Sequence, residues 1–356
     1  MRRSDPLILG GGPAGSAAAI TLARAGLRPL LLERQRETGG AICGGFLSWH
    51  SLAALDRLGV AVPGAPATEL RLFTGANQAR ATLPRPALGV SRRTLDIAML
   101  QTAERAGAAV DRGVHARAVE GRTVRIDGDA VTAERLLLAT GKHDVRGAGR
   151  PRDAGDPALG LRVRLGPAGA LARLVEGAIE LHLFDRGYAG LVLQEDGSAN
   201  LCLAVRKSRL AQEGGPDALL RAIGAEVPAL GERLAFLLPG SETDAIAAVP
   251  YGWRTADTAP GVYRLGDQAA VIPSLAGEGM GIALASGVLA GEAVARGQDA
   301  ARFQRALHAR TARPVRIASA VLAAAERPRA AAALTRLVRV APGLARLVAR
   351  ATRVGH

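Results

Sequence analysis

Three glycines and one acid near the start of the chain could together hold a phosphate-bearing dinucleotide. Gly10, Gly12 and Gly15 follow the apolar run Leu7–Leu9, and Glu33 closes a second apolar run 18 residues after Gly15. Gly10 permits a tight turn, Gly12 lets a pyrophosphate approach the backbone, and Gly15 allows a helix to pack closely on a sheet. A helix entered at Pro13 and Ala14 offers unpaired N–H groups and a positive dipole end to the phosphates. Glu33 can accept hydrogen bonds from both ribose hydroxyls, and an acid there disfavours a 2′-phosphate. FAD or NAD is therefore expected rather than NADP. A G-x-G-x-x-G alone is weak evidence. The strand, helix and acid in register around it make an ordinary glycine-rich turn the poorer reading.

A second constellation lies far downstream. Gly266-Asp267 ends an apolar run; Pro273 follows, then Gly277-Glu278-Gly279-Met280-Gly281. Asp267 can hold a sugar-alcohol hydroxyl, and the amides near Gly279–Gly281 can stabilise negative charge on a reduced ring. The plain alternative is a helix-capping acid and a loop. Between the two constellations lie Cys43, in Cys43-Gly44-Gly45, and His143, beside Lys142 and Asp144. Cys43 could donate a proton or sense redox state; it could equally be a small buried residue beside flexible glycines. His143 could act in acid–base chemistry near neutral pH, and a loop histidine is the plainer reading. His182 alternates with apolar residues, so a satisfied sheet histidine is preferred over one facing a substrate. No Cys or His spacing points to a metal.

The elements needed to position these groups can be read from periodicity. Leu7–Leu9, Ser16–Ala25 and Pro29–Glu33 form a β-α-β unit. Helices are expected at Ser51–Leu58 and at Arg92–Ala106, the latter closed by Gly107. Short strands are expected at 69–73, 80–83, 108–111, 116–120, 123–126 and 130–132, followed by the buried strand Arg135–Ala139. Runs at 161–165, 178–184, 190–194 and 199–205 predict a second, mostly antiparallel sheet. Helices are expected at 217–223 and 228–234. Val262–Leu265 returns the chain to the first domain, where a long apolar helix runs to Ala295. From Ala301 onward the chain is expected to be helical, with breaks at Pro314, Pro328 and Pro342.

The fold class is therefore α/β. A Rossmann-like, mixed three-layer dinucleotide domain (1–68, 90–158, 255–300) is interleaved with an antiparallel-sheet substrate domain (69–89, 159–254) and followed by a helical tail (301–356). With 356 residues and 48% hydrophobic content, the chain can bury a sizeable core. Of its formal charge of +14, the tail carries +11: twelve arginines against the single acid Glu326. The remainder is close to neutral and aromatics make up 3%, so a nucleic-acid-binding core is not expected. In the tail, Leu334, Leu337, Val338, Leu344, Leu347 and Val348 could form an apolar stripe among arginines. Such a stripe suits a helix covering the substrate domain, the preferred reading, or one lying on an anionic membrane. No signal peptide or membrane span is visible, and a cytoplasmic location is expected, with membrane association left open.

Gly10–Gly15 with Glu33, Arg92 ahead of Asp96, Ala139-Thr140-Gly141, and Gly266-Asp267 with Pro273 and Gly277–Gly281 stand in an order resembling one flavoprotein superfamily. It contains the aromatic-ring hydroxylases of para-hydroxybenzoate hydroxylase type and the geranylgeranyl reductases, and the likeness runs from about Leu7 to Ala295. It implies non-covalent FAD, with contacts from Gly10, Gly12, Pro13, Ala14, Gly15, Glu33, Arg34, Arg92, Val119, Thr140, Gly141, Gly266, Asp267, Pro273, Gly277, Gly279, Met280 and Gly281. It also implies NADH or NADPH as a transient reductant. The sequence departs from the superfamily at Thr140-Gly141-Lys142-His143-Asp144, where Asp-Gly is usual. It departs again at Gly190, where the reductases carry tryptophan. The expected activity is monooxygenation of a hydrophobic, aromatic or polyketide-like molecule, with Cys43 and His143 as candidate catalytic residues. The alternatives are reduction of a double bond in an isoprenoid lipid and a non-catalytic flavin-binding redox role. Oligomeric state is left open.

Overall fold

The computed structural model describes residues 2–151, 155–238, 240 and 243–354. The outermost residues of the first and last expected segments, 1 and 355–356, lie outside that set.

Five short strands form a parallel sheet in the spatial order Val262–Arg264, Leu136–Leu138, Leu7–Leu9, Leu30–Glu33 and Ala109–Arg112. Leu7, Ile8, Leu31, Leu136, Leu137 and Leu138 are wholly buried. Both faces are covered, as a parallel sheet requires. One face packs under the helices α1 (Pro13–Arg24), α3 (Arg92–Ala106) and α8 (Gly279–Ala295). A small sheet of Arg2–Arg3, Asp129–Thr132, Thr123–Ile126 and Ala116–Glu120 lies on the other. The long apolar helix α8 has almost no polar face because it is buried among these neighbours. Gly287 and Gly291 let it touch α1 closely: a Cβ on Gly291 would lie 2.7 Å from Thr21.

The second sheet has eight strands in the order Asp244–Val249, Ala158–Leu165, Ala199–Arg206, Gly187–Leu193, Gly177–Phe184, Ala65–Thr74, Asn77–Gly89 and Phe46–Leu47. All its pairings are antiparallel except that of Gly177–Phe184 with Ala65–Thr74. Two strands depart from expectation. Ala65–Thr74 and Asn77–Gly89 are longer than the runs read from sequence, so the second sheet begins before residue 69 and also takes in Phe46–Leu47. Pro84 and Pro86 do not end the pairing. Instead the register shifts between Ala67 and Glu69, whose partners are Ala87 and Thr82. Leu83 to Pro86 sit in the resulting bulge, where a missing N–H does no harm. Asp244–Val249, not anticipated, pairs with Ala158–Leu165 at the sheet's edge.

The remaining helices are α2 (Trp49–Arg57), α4 (Gly169–Val175), α5 (Lys207–Glu213), α6 (Pro216–Glu226), α7 (Pro228–Leu234), α9 (Ala300–Ala325), α10 (Pro328–Val340) and α11 (Pro342–Ala351). Pro328 and Pro342 each open a helix, the position where the missing N–H costs nothing. Pro314 does not break the chain. It lies inside α9, because Leu307, Thr311, Val315 and Ala318 on either side are buried and hold the helix through the lost hydrogen bond. α10 and α11 lie across Asn77–Gly89. Ala331, Thr335 and Val338 are buried there, and Thr335 Oγ1 hydrogen-bonds Thr74 Oγ1 at 2.7 Å. Leu337, Val340, Leu344 and Leu347 point outward. The tail thus covers part of the second sheet and also presents an apolar outer face.

Candidate active site

The glycine-rich turn is set by steric contact. Gly10 has φ +106°, and a Cβ on it would lie 2.5 Å from Ala139 O. A Cβ on Gly15 would overlap Gly10 O. Gly12 is different: it lies at the N-terminus of α1, and the nearest atom to its virtual Cβ is Arg92 Nη2 at 3.5 Å. Helix α1 has no side-chain cap and no acid in its first turn, so its amides stay free for an anion. Glu33 Oε2 accepts from Gly11 N at 2.7 Å and Oε1 from Gln35 N at 2.8 Å. These bonds fix the carboxylate and leave each oxygen a further lone pair.

The downstream constellation arrives beside this turn. Gly266 packs against Ala14 and Ala283, and its N–H donates to Ser286 Oγ at 2.8 Å. Gln268 Nε2 donates to Gly141 O at 2.9 Å. Arg150 binds Asp144 Oδ1 at 2.8 Å, Lys142 O at 2.9 Å and Asp267 O at 3.1 Å. Together they stitch the 140–144 loop to the 266–268 turn. Lys142 Nζ lies 3.5 Å from Asp267 Oδ2. The Asp267 charge raises the Lys142 pKa, outweighing burial, so Lys142 is an ammonium ion. Helix α8 starts at Gly279, again without a side-chain cap, and no atom lies within 4 Å of a Cβ built there. Gly277, at φ +63°, turns the chain against Phe46. Met280 is buried.

Arg92 stands between the glycine-rich turn and the Cys43 loop. Its guanidinium binds Asp96 through Nε at 3.0 Å and Nη2 at 2.8 Å, and contacts the Cys43 thiol. Burial disfavours its charge, but Asp96 and Cys43 more than compensate and raise its pKa. The start of α3 is fixed from the other domain: Glu195 Oε2 accepts from Ser91 N at 2.8 Å. The Cys43 loop is pinned by the second sheet too. Arg162 donates to Ala41 O at 2.9 Å, and Asn200 and Cys202 donate to Cys43 O at 2.9 and 3.0 Å. Burial pushes the Cys202 thiol up to about 12, so it remains protonated.

Some residues fall elsewhere. His143 Nε2 lies 2.7 Å from Arg34 Nη2 and must accept from it. Burial, then the Arg34 and Lys142 charges, lower the His143 pKa. The ring is therefore a neutral acceptor paired with Arg34, and it does not join Cys43. Val119 is buried in the core under the small sheet, with its N–H given to Arg146 O at 2.8 Å. His182 is fully buried, stacked on Phe73 at 4.6 Å and hydrogen-bonded to Glu180 at 3.2 Å.

Three groups escaped sequence reading. Tyr188 and Tyr251 converge on Ser274 Oγ, next to Pro273; the Tyr251 distance is 2.6 Å. Burial raises both phenol pKa values, that of Tyr188 well above the ordinary value. Lys142 acts in the opposite direction on Tyr251. A cleft of about 460 Å³ opens there, with Val249, Pro250, Tyr251, Trp253, Pro273 and Leu322 in its wall. Finally, the chain's end ties down the ring-side loop. Arg353 is ion-paired with the fully buried Glu278 and donates to Gly277 O at 3.1 Å and Ala276 O at 2.7 Å. Val354 N donates to Glu278 Oε1 at 3.0 Å. These partners are far apart in sequence and carry no local signature.

Two uncapped helix starts, an open Gly12, and Arg92 over it form a cradle for a diphosphate with sugars on either side. The residues present fit FAD. Residues 3–148 match the family described as the FAD binding domain. The chain is 27% identical over 322 residues to digeranylgeranylglycerophospholipid reductase 2 of Methanopyrus kandleri, covering 82% of this chain and 76% of that one. It is 31% identical over 159 residues to protein FixC of Escherichia coli (strain K12), covering 40% of this chain and only 37% of FixC. Among solved structures, the flavin-dependent brominase Bmp2 superposes with a TM-score of 0.78 at 16% identity, covering 98% of this chain and 93% of that one. The chain shares its fold with that brominase. Among the described residues no helix is long and apolar enough to cross a membrane, and no three potential metal ligands cluster.

Proposed function

We propose that this chain is an FAD-dependent oxidoreductase that reduces a carbon–carbon double bond in a hydrophobic molecule, with NADH or NADPH as the electron source. The observation that carries the reading is the pair of protonated phenols, Tyr188 and Tyr251, sharing Ser274, with Tyr251 in the wall of a cleft that also carries Trp253, Leu322, Arg206 and Ser319. Reduction of an alkene needs a hydride and a proton. Bound FAD supplies hydride transfer; the protein must supply the rest.

Tyr251 is the better proton donor of the two. Its hydroxyl stands at the cleft, and the Lys142 ammonium favours its phenolate. As the proton leaves for the substrate carbon, Ser274 hydrogen-bonds the growing negative charge and connects it to the Tyr188 proton. Lys142, held by Asp267, balances the charge. The wall of Val249, Pro250, Trp253 and Leu322 offers contact to apolar substrate surface. Arg92 and the start of α1 would hold the FAD diphosphate, Glu33 its adenosine ribose, Asp267 its ribityl chain, and the amides from Gly279 the ring edge. A relative matched over 82% of this chain, a lipid reductase by name, supports the reading.

Oxygen insertion into the same kind of substrate is the second reading. Gly190 favours it, since the tryptophan of the reductase pattern is missing from the strand position paired with Cys202. Anaerobic turnover separates the two. Under reduction, hydrophobic alkenes such as polyisoprenoids gain two hydrogens with stoichiometric loss of reduced nicotinamide in the absence of oxygen. Turnover that stops without oxygen, with product gaining an oxygen atom, would contradict reduction and support insertion.

A further inference from the structure

Among the described residues only six large apolar side chains are strongly exposed, and five of them fall in one stretch of the tail. Leu337 and Val340 are on α10, and Leu344, Leu347 and Val348 on α11; Val340 is 82% exposed and Leu347 62%. The opposite side of α10 is already committed, through the buried Ala331, Thr335 and Val338, to the second sheet, and α11 also packs along the strand Asn77–Gly89. The outward face is therefore left over after the tail has covered the sheet. Exposed arginines frame it: Arg336, Arg339, Arg346 and Arg350, with no acid anywhere between Arg327 and Val354. Apolar side chains set among arginine stems are the chemistry of a helix lying in an anionic lipid interface. There the apolar groups enter the acyl boundary while the guanidinium groups stay at the headgroups. A second copy of this chain fits poorly, because a two-fold contact would set these arginines against their own copies with no acid to balance them.

We propose that the outer face of α10 and α11 docks on an anionic membrane surface, as a peripheral contact that spans nothing. The patch is anchored to the ring-side loop through Arg353 and Glu278, so docking fixes the orientation of the candidate site relative to the lipid. The inference uses only the surface, and it stands or falls independently of the reaction catalysed.

The test is co-sedimentation of the full chain with large unilamellar vesicles, either phosphatidylglycerol mixed with phosphatidylcholine or phosphatidylcholine alone. Binding to the anionic vesicles is expected to be at least about tenfold tighter than to neutral ones and to weaken with salt. The double substitution Val340→Asp with Leu347→Asp, at two exposed positions, is expected to reduce anionic-vesicle binding by about tenfold or more. Its circular dichroism and flavin titration should remain unchanged. Equal binding by the variant, equal binding to neutral vesicles, or a concentration-dependent dimer with no vesicle binding would overturn the proposal.

Discussion

At the scale of single residues, the two inner glycines of the opening turn have separable tasks. Gly15 serves packing: its Cβ would overlap Gly10 O. Gly12 serves the ligand: its backbone, at φ −72° and ψ −175°, suits any residue, and its Cβ would meet nothing closer than Arg92 at 3.5 Å. Gly15→Ala is therefore expected to destabilise the apoprotein by roughly 1–3 kcal/mol. Gly12→Ala should leave apoprotein stability within about 0.5 kcal/mol while weakening flavin binding. Urea unfolding of the apoprotein together with flavin fluorescence titration reads both, and equal stability losses would refute the division. Tyr251→Phe addresses the proton. It is expected to lower turnover by roughly 10²-fold or more while leaving reduction of the bound flavin by NADH or NADPH unchanged, as stopped-flow absorbance would show. A matching loss in both would mean that Tyr251 shapes the site instead of supplying a proton.

At the scale of elements, the contiguous motifs were legible and the convergent ones were not. The Gly10–Gly15 turn and its flanking strands occupy adjacent residues and obey local sterics, so type and spacing disclosed them. Tyr188, Tyr251 and Ser274 come from a central strand, a turn after an edge strand, and the turn after Pro273. Only sheet register brings them together. Pro314 misled because proline removes a hydrogen bond locally, while a well-buried helix face restores continuity tertiarily. The Arg353–Glu278 contact likewise joins the last helix to the start of α8. Because Glu278 is wholly buried, Arg353→Ala leaves its carboxylate without a counter-ion, and a loss of about 3 kcal/mol is expected. Adding Glu278→Gln should recover part of that loss. Thermal unfolding of the single and double variants checks it; additive losses would show that the two side chains do not act as a pair.

At the scale of the whole molecule, acid is expected to weaken the fold. His50, His143, His182 and His308 all have pKa values lowered from the ordinary 6.5, in each case chiefly by burial. The unfolded chain takes up protons at these sites before the folded one does, so stability is full above 6.5 and declines as pH falls toward the folded values. His182, fully buried between Glu180 and Phe73, should dominate. Urea midpoints measured from about pH 7.5 to 5.5 should fall, and His182→Gln should flatten the slope; an unchanged slope would assign the effect elsewhere.

The architecture as a whole brings together two uncapped helix starts, those of α1 and α8, from widely separated parts of the sequence. The most direct measurement is a titration of the purified apoprotein with FAD. The expected result is a saturable, one-to-one yellow complex, abolished when Gly12 and Gly279 both carry side chains, whose flavin is released intact on denaturation. A well-folded chain that takes up no FAD, or that binds it equally well with both glycines replaced, would contradict the account.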